Sequence, residues 1–242
     1  MTTLRRGLLL PGIAVALGVV VLLGLGIWQL QRKAWKETLI ASLTERLTAE
    51  PRPLPPAAQW PELTQENSEF LRVRLQVEWP GAKDALVYTG VSATRDDVKS
   101  QGYFVFTPAR VLGVGTVVVN RGFVAAMTYP PARGIQEIVG VLRWPEPPHW
   151  LVAAHDTDGV VWTVRDHLAM APLRGWGAVA PFYVEMEAPE PPGGLPHPAR
   201  LNIQLRNDHL QYAVTWFALA VVLVVMAAIW WARRHRDPRP PA

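Results

Sequence analysis

The sequence predicts a membrane protein in which one transmembrane helix near each end flanks a mainly antiparallel β domain of barrel or sandwich type, with minor helical content. Three observations predict it. Residues 7–30 and 213–232 carry no charge, and at ~1.5 Å per residue either tract crosses a hydrocarbon core ~30 Å thick. Between them lie about eight short strand-like runs separated by Gly, Pro and Asp. Lys and Arg gather at the flanks of the apolar tracts (Arg5, Arg6, Arg32, Lys33, Lys36, Arg233, Arg234, Arg236, Arg239), where anionic lipid headgroups attract them.

The chain accordingly divides into a first transmembrane helix (7–30), a helical extension (31–50), a β-rich domain (51–211), a second transmembrane helix (212–232) and a basic tail (233–242). In the first tract Gln29 is the one strongly polar residue. A secretory signal would have an apolar region of ~7–15 residues ending in small residues, whereas this one is longer and ends in Ile27-Trp28-Gln29. The second tract carries Trp216, Trp230 and Trp231 near its two ends, as interfacial aromatics sit. Arginines after it outnumber Arg200 and Arg206 before it, so positive-inside counting puts both termini in the cytoplasm and the central domain in the periplasm. So short an N-terminal extension does not resemble a transit peptide, and a bacterial inner membrane is the expected location.

Beyond the first tract, Leu39, Ile40, Leu43 and Leu47 recur at helical spacing, and Pro51, Pro53, Pro55 and Pro56 end the helix. Leu71, Val73, Leu75, Val77 and Trp79 then alternate with polar residues, the period of a half-buried strand. Further strands are expected at 86–89, 102–108, 116–120, 123–126, 137–142, 160–164 and 182–187. Asn120-Arg121-Gly122 reads as a hairpin turn or bulge with Gly122 at positive φ, or else Arg121 binds an acidic partner group. Asp166 is placed to cap a short helix through Ala171, and Pro189 to Pro198 reads as an extended linker.

With no cysteine in 242 residues, disulfides, thiolate metal sites and thiol catalysis are excluded. The net charge of +4 forms no basic stripe with interleaved aromatics, so nucleic acid is not an expected partner and membrane lipid is. Nucleophile elbows, phosphate loops and paired catalytic carboxylates are missing from the sequence, so an enzyme is not expected. His149, His155, His167, His197 and His235 lack metal-ligand spacing.

Two clusters bear on binding. Trp28, Arg32 and Trp35 share a face of the first helix, and His209, Tyr212 and Trp216 share a face of the second, both at the outer membrane surface. Brought together, an imidazole, an arginine and aromatic walls are what a planar, partly apolar, anionic ligand such as haem needs, with His209 reaching the iron. The same residues also fit an aromatic belt with a snorkelling Arg and a His at a helix start.

The tracts Gly26 to Lys36 (GIWQLQRKAWK) and Asn207 to Phe217 (NDHLQYAVTWF) resemble the two signatures of the Surfeit-locus family of cytochrome c oxidase assembly proteins. Between them Gly102 to Pro108, Val118 to Phe123 and Gly140 to Glu146 resemble family segments as well. Asp208 stands where the family usually has Asn, and Phe123 where it has Trp. The resemblance implies a factor that helps to mature a haem–copper oxidase, receiving haem a from haem A synthase and presenting it to the catalytic subunit. It also implies His209 as a transient ligand of the haem a iron. A scaffold that stabilises an oxidase intermediate without touching haem is the alternative.

Overall fold

The computed structural model describes residues 2–90, 98, 100–147, 154–156, 158–199 and 207–236, and side chains between 9 and 234. The chain forms two compact units, a helical one from Met1–Ala41 with Leu205–Ala242 and a β-rich one over Ser42–Gln204.

In the helical unit α1 (Thr2–Thr48) and α4 (His209–Arg236) contain the apolar tracts. Their most apolar windows reach a mean hydropathy of 2.5 and leave most of their side chains uncovered by protein, as lipid-facing helices do. Where α1 meets α4 the contact is made by small residues. Gly26 lies so close to the ring of Phe217, and Gly18 to Leu223, that a Cβ at either position would clash, while Ala213 and Ala220 are buried. In lipid, where apolar side chains gain nothing by leaving their solvent, close backbone approach of this kind is what drives helix pairing.

The β-rich unit is a closed barrel. Strands β2 (Arg72–Trp79), β6 (Gly134–Arg143), β8 (Tyr183–Ala188), β5 (Gly115–Val124) and β4 (Gly102–Val111) follow one another around it, and β4 returns to β2 through Val77↔Val111 and Glu78↔Arg110. Short strands β1 (Arg52–Pro53), β3 (Ala85–Thr89) and β7 (Val161–Trp162) extend the sheet beyond the closure. Most pairs are antiparallel, as the sequence suggested, but β8 inserts between β5 and β6 and runs parallel to β5.

The alternation in β2 sends Val73, Leu75, Val77 and Trp79 inward, where they meet Val117, Val119, Ile138, Phe182 and Val184. Trp60, from the 3-10 turn Ala57–Glu62 that precedes the one-turn α2 (Gln65–Ser68), packs edge-on against Phe182 at 5.4 Å and donates its indole N–H to the Pro55 carbonyl. Each such large side chain contributes about 2 kcal/mol by leaving water. A second core lies on the outer face of the sheet, where Phe104, Phe106, Val118 and Tyr183 are covered by Trp162, Trp176 and α3 (His167–Arg174). Asp166 caps α3 by accepting from the Ala169 N–H at 3.1 Å, as expected, and Gly175 ends it in the left-handed conformation.

Two expectations are corrected. Residues 116–120 and 123–126 are not two strands joined by a turn, because Asn120, Arg121 and Gly122 lie within β5. The segment is a bulge: Phe104 pairs with Phe123 and Phe106 with Asn120, so two residues of β5 face one of β4. The hairpin turn falls at 112–114 instead, where Gly113 takes a positive φ. The second correction concerns Pro189 to Pro198, which is more than a linker. His197 exchanges both backbone hydrogen bonds with Phe123, each 2.8 Å, and so straps the segment across the bulge.

The strap explains the glycine. Gly122 has φ +127°, and a Cβ there would collide with the His197 carbonyl. Gly122→Ala should therefore lower stability by about 2 kcal/mol or more, read as a fall in the melting temperature of the detergent-solubilised protein. Full retention of the wild-type transition would refute the strap.

His167 is wholly buried, its Nε2–H donates to the Ala180 carbonyl at 3.0 Å, and its Nδ1 has no hydrogen-bond partner among the described residues. Burial lowers its pKa to about 4. The unfolded chain protonates this ring near pH 6.5 while the fold keeps it neutral, so unfolding takes up a proton between those values. Stability should be complete above pH 6.5 and fall as the pH drops, by about 2 kcal/mol at pH 5. Urea unfolding across that range should show the loss, and His167→Gln, which keeps a donor for Ala180, should flatten it.

Candidate functional site in the helical unit

The first turn of α4 presents His209 at its start, followed by Tyr212 and Trp216 at spacings of three and seven, and the Tyr212 N–H closes the turn on the Asp208 carbonyl at 3.2 Å. All three side chains line one pocket of about 360 Å³, together with Asp208 and with Gln29 and Lys36 of α1. Among the described side chains of the α1 apolar tract, Gln29 is the one strongly polar group, and it is only 9 % exposed. A buried amide in lipid needs a partner. Gln29 Oε1 accepts from His209 Nδ1 at 2.7 Å.

That hydrogen bond decides the tautomer of the ring. A carbonyl oxygen can only accept, so Nδ1 carries a proton, and of the two neutral tautomers the bond selects the one whose Nε2 keeps a lone pair. An imidazole fixed through its Nδ1–H with Nε2 open is the arrangement that metal-ligating histidines use. In the same pocket Trp216 Nε1 is buried without a hydrogen-bond partner among the described residues.

Of the six residues the sequence singled out, the structure brings together the three on α4 and not the three on α1. Trp28 and Trp35 are 49 % and 57 % exposed, and the Arg32 guanidinium stacks over the Trp35 ring at 4.8 Å. This is the arrangement of an interfacial aromatic with a snorkelling cation. The contact face of α1 is set instead by Gly18, Gly26 and Gln29, and one residue along a helix is a rotation of 100°. Gln29 and Lys36, seven apart, therefore face the pocket where Trp28 and Trp35 were expected. Sequence reasoning had noted Gln29 as the lone polar residue of the tract without asking what it bonds to, and that question would have found the site.

The other histidines whose side chains are described are engaged elsewhere. His155 stacks on Trp162 at 4.6 Å, His197 belongs to the strap, His149 lies outside the described residues, and His235 lies where side chains are not described. Among the described residues no three His, Asp or Glu side chains converge as a metal cluster.

If Gln29 fixes the tautomer, the His209 ring in Gln29→Leu should become a mixture of tautomers. Nitrogen-15 spectra of the imidazole in micelles should show one protonated Nδ1 in the wild type and two exchanging forms in the variant. An unchanged spectrum would show that the ring is held by something else.

Comparison with known proteins agrees with this architecture. The SURF1 family profile matches residues 16–221, a span that begins within α1 and ends within α4. Surfeit locus protein 1 of Takifugu rubripes is 31 % identical over 230 residues, covering 87 % of this chain and 91 % of that one. A SURF1-like protein of Monosiga brevicollis is 32 % identical over 86 % of this chain and 82 % of its own. Surfeit locus protein 1 of Homo sapiens is 32 % identical over 81 % of this chain and 69 % of its own. With a profile match over most of its length and relatives of this similarity along nearly the whole fold, the chain belongs to the SURF1 family.

Proposed function

We propose that this protein is an assembly factor for a haem–copper cytochrome c oxidase, one that holds haem a transiently at the α1–α4 pocket on its way from haem A synthase to the catalytic subunit. The observation that carries the reading is the Gln29–His209 hydrogen bond, which leaves Nε2 of a fixed imidazole available as an axial donor. The rest of the pocket suits the same cargo. Trp216 and Tyr212 would supply aromatic faces, and the Trp216 N–H, without a partner among the described residues, would supply a donor. A pocket of about 360 Å³ holds a macrocycle by one edge rather than enclosing it, which suits a cargo that must leave again.

In this reading the protein does no bond-breaking chemistry. The iron and porphyrin bring their own reactivity, and the chain contributes an imidazole lone pair, its orientation, and apolar shelter at the membrane surface. With Arg233, Arg234 and Arg236 at the C-terminal end of α4, positive-inside counting supports a cytoplasmic C-terminus and, with two membrane crossings, a periplasmic β barrel at a bacterial inner membrane.

The test is the visible spectrum of the detergent-purified protein after co-expression with a haem A synthase. The wild type should carry a haem a spectrum, His209→Ala should lose it while keeping its melting transition, and Gln29→Leu should bind about tenfold or more weakly. A colourless wild type would overturn the haem reading and favour a scaffold that supports oxidase assembly without cargo.

A further inference from the structure

At the end of the helical unit that lies away from His209, the helix pair opens. Gly18 and Gly26 belong to the contact of α1 with α4, since a Cβ at either would run into Leu223 or Phe217. Gly12 is different, because a Cβ there would meet nothing within 4 Å. It lines a cleft of about 470 Å³ between the helices, walled by Val15 on α1 and by Leu223, Met226 and Trp230 on α4. Among the described residues no charged or hydroxyl-bearing side chain lines it. Met226 is 61 % exposed, so the cleft opens sideways, and what surrounds these segments is hydrocarbon. A glycine inside a helix costs about 1 kcal/mol relative to alanine. At position 12 no contact within the protein calls for it, and its effect is to keep the cleft open.

Trp230 ties this cleft to charge. The Arg234 guanidinium, one turn further along α4, lies over the Trp230 ring at 5.1 Å. A guanidinium held by a ring face keeps its N–H donors in its own plane, where a phosphate can meet them. Arg233 is its exposed neighbour. The sequence places Arg5, Arg6, Arg233, Arg234 and Arg236 at this end of the two helices, while no Asp or Glu precedes Glu37 and none lies between Asp208 and Asp237. An apolar cleft in hydrocarbon thus ends at a cluster of cations.

We propose that the cleft binds one anionic phospholipid, with an acyl chain lying along Gly12 and Met226 and the phosphate on Arg234, where Arg233 adds to the field. Basic residues at the mouth of a cleft between transmembrane helices match a molecule that carries a chain and a negative headgroup on one body. The chain fills space that the two helices leave between them, and the headgroup stays at the boundary where the arginines stand. A transmembrane helix of another chain would fill the same cleft without using the arginines, and it is they that favour the lipid. The site lies at the opposite end of the helix pair from the His209 pocket and does not depend on haem.

The experiment titrates the full chain in detergent micelles with phosphatidylglycerol and with phosphatidylcholine of the same acyl chains, counting bound lipid by native mass spectrometry. One phosphatidylglycerol should be retained per protein, about tenfold or more tightly than phosphatidylcholine. Gly12→Leu, which has room for its side chain only where the lipid would lie, should weaken retention about fivefold or more. Replacing Arg233 and Arg234 by Gln should weaken it about fivefold for each. If Gly12→Leu lowers the melting transition, Ala228→Leu, which also projects into the cleft, takes its place. Equal retention of the two lipids would overturn the proposal. So would phosphatidylglycerol held undiminished in the cleft-filling variants, which would leave the arginines as an unspecific basic flank. A dimer that Gly12→Leu dissociates would overturn it as well, by putting a second copy of the chain in the cleft.

Discussion

A glutamine inside an apolar helix must hydrogen-bond to something, and in the helical unit that requirement is met by His209. Much else follows from it. For Oε1 to reach Nδ1 the two backbones must come close, and Gly26 and Gly18 on α1 with Ala213 and Ala220 on α4 permit the approach. Once Gln29 faces α4, helical geometry turns Trp28, Arg32 and Trp35 toward the surroundings, where they serve as an interfacial belt. The hydrogen bond itself is worth only about 1 kcal/mol in such settings. Its larger effect is on identity, since it selects one register of the helix pair and one tautomer of the ring.

The barrel obeys a comparable rule at its bulge. Inserting two residues of β5 opposite one of β4 leaves backbone groups that the ladder cannot satisfy. The strap at His197 supplies partners for the N–H and C=O of Phe123, and the Asn120 side chain accepts from the Gly122 N–H at 3.1 Å. The strap can come that near only because residue 122 has no Cβ. Around the same bulge two charges are buried. Arg121 shares the cluster of Asp84, Thr107 and Tyr129, and Glu185, 1 % exposed, lies 3.4 Å from Asn120 and 3.5 Å from Arg143. Asn120-Arg121-Gly122 is thus a junction at which strand, strap and buried charge depend on one another.

What could be read from the sequence follows from how local each signal is. Transmembrane tracts depend on composition over about twenty residues, and β2 declares itself by strict alternation, so both were legible. The Asp166 cap is likewise a local pattern. Closure of the barrel through β2 and β4, and the insertion of β8 between β5 and β6, are pairings of distant segments that leave no local trace. The Asn-Arg-Gly segment left two readings open because a glycine at positive φ marks a turn and a bulge equally well, and the bulge is the one the structure shows. At the helix pair, the α4 residues were found by spacing along one helix. The α1 partners were not, because periodicity reports a face but not which face meets a neighbour, and prominent tryptophans outweighed a single glutamine.

The character of the pocket also bears on why a carrier would be built this way. Its lining offers one imidazole, and a ligand held by a single axial bond, aromatic contacts and one or two polar partners has a shallow well compared with an enclosed, doubly ligated site. Transfer from such a pocket to a site with more ligands runs downhill without any input of energy, because only the difference between the two affinities drives it. Fixing the imidazole beforehand works against this: a ring already oriented by Gln29 gives up little entropy when it binds, so it lends the single bond enough affinity to hold the cargo at all. A second strong ligand in this pocket would deepen the well and turn a carrier into a store. On the proposed reading, the sparseness of the site is therefore the feature that lets it pass its cargo on.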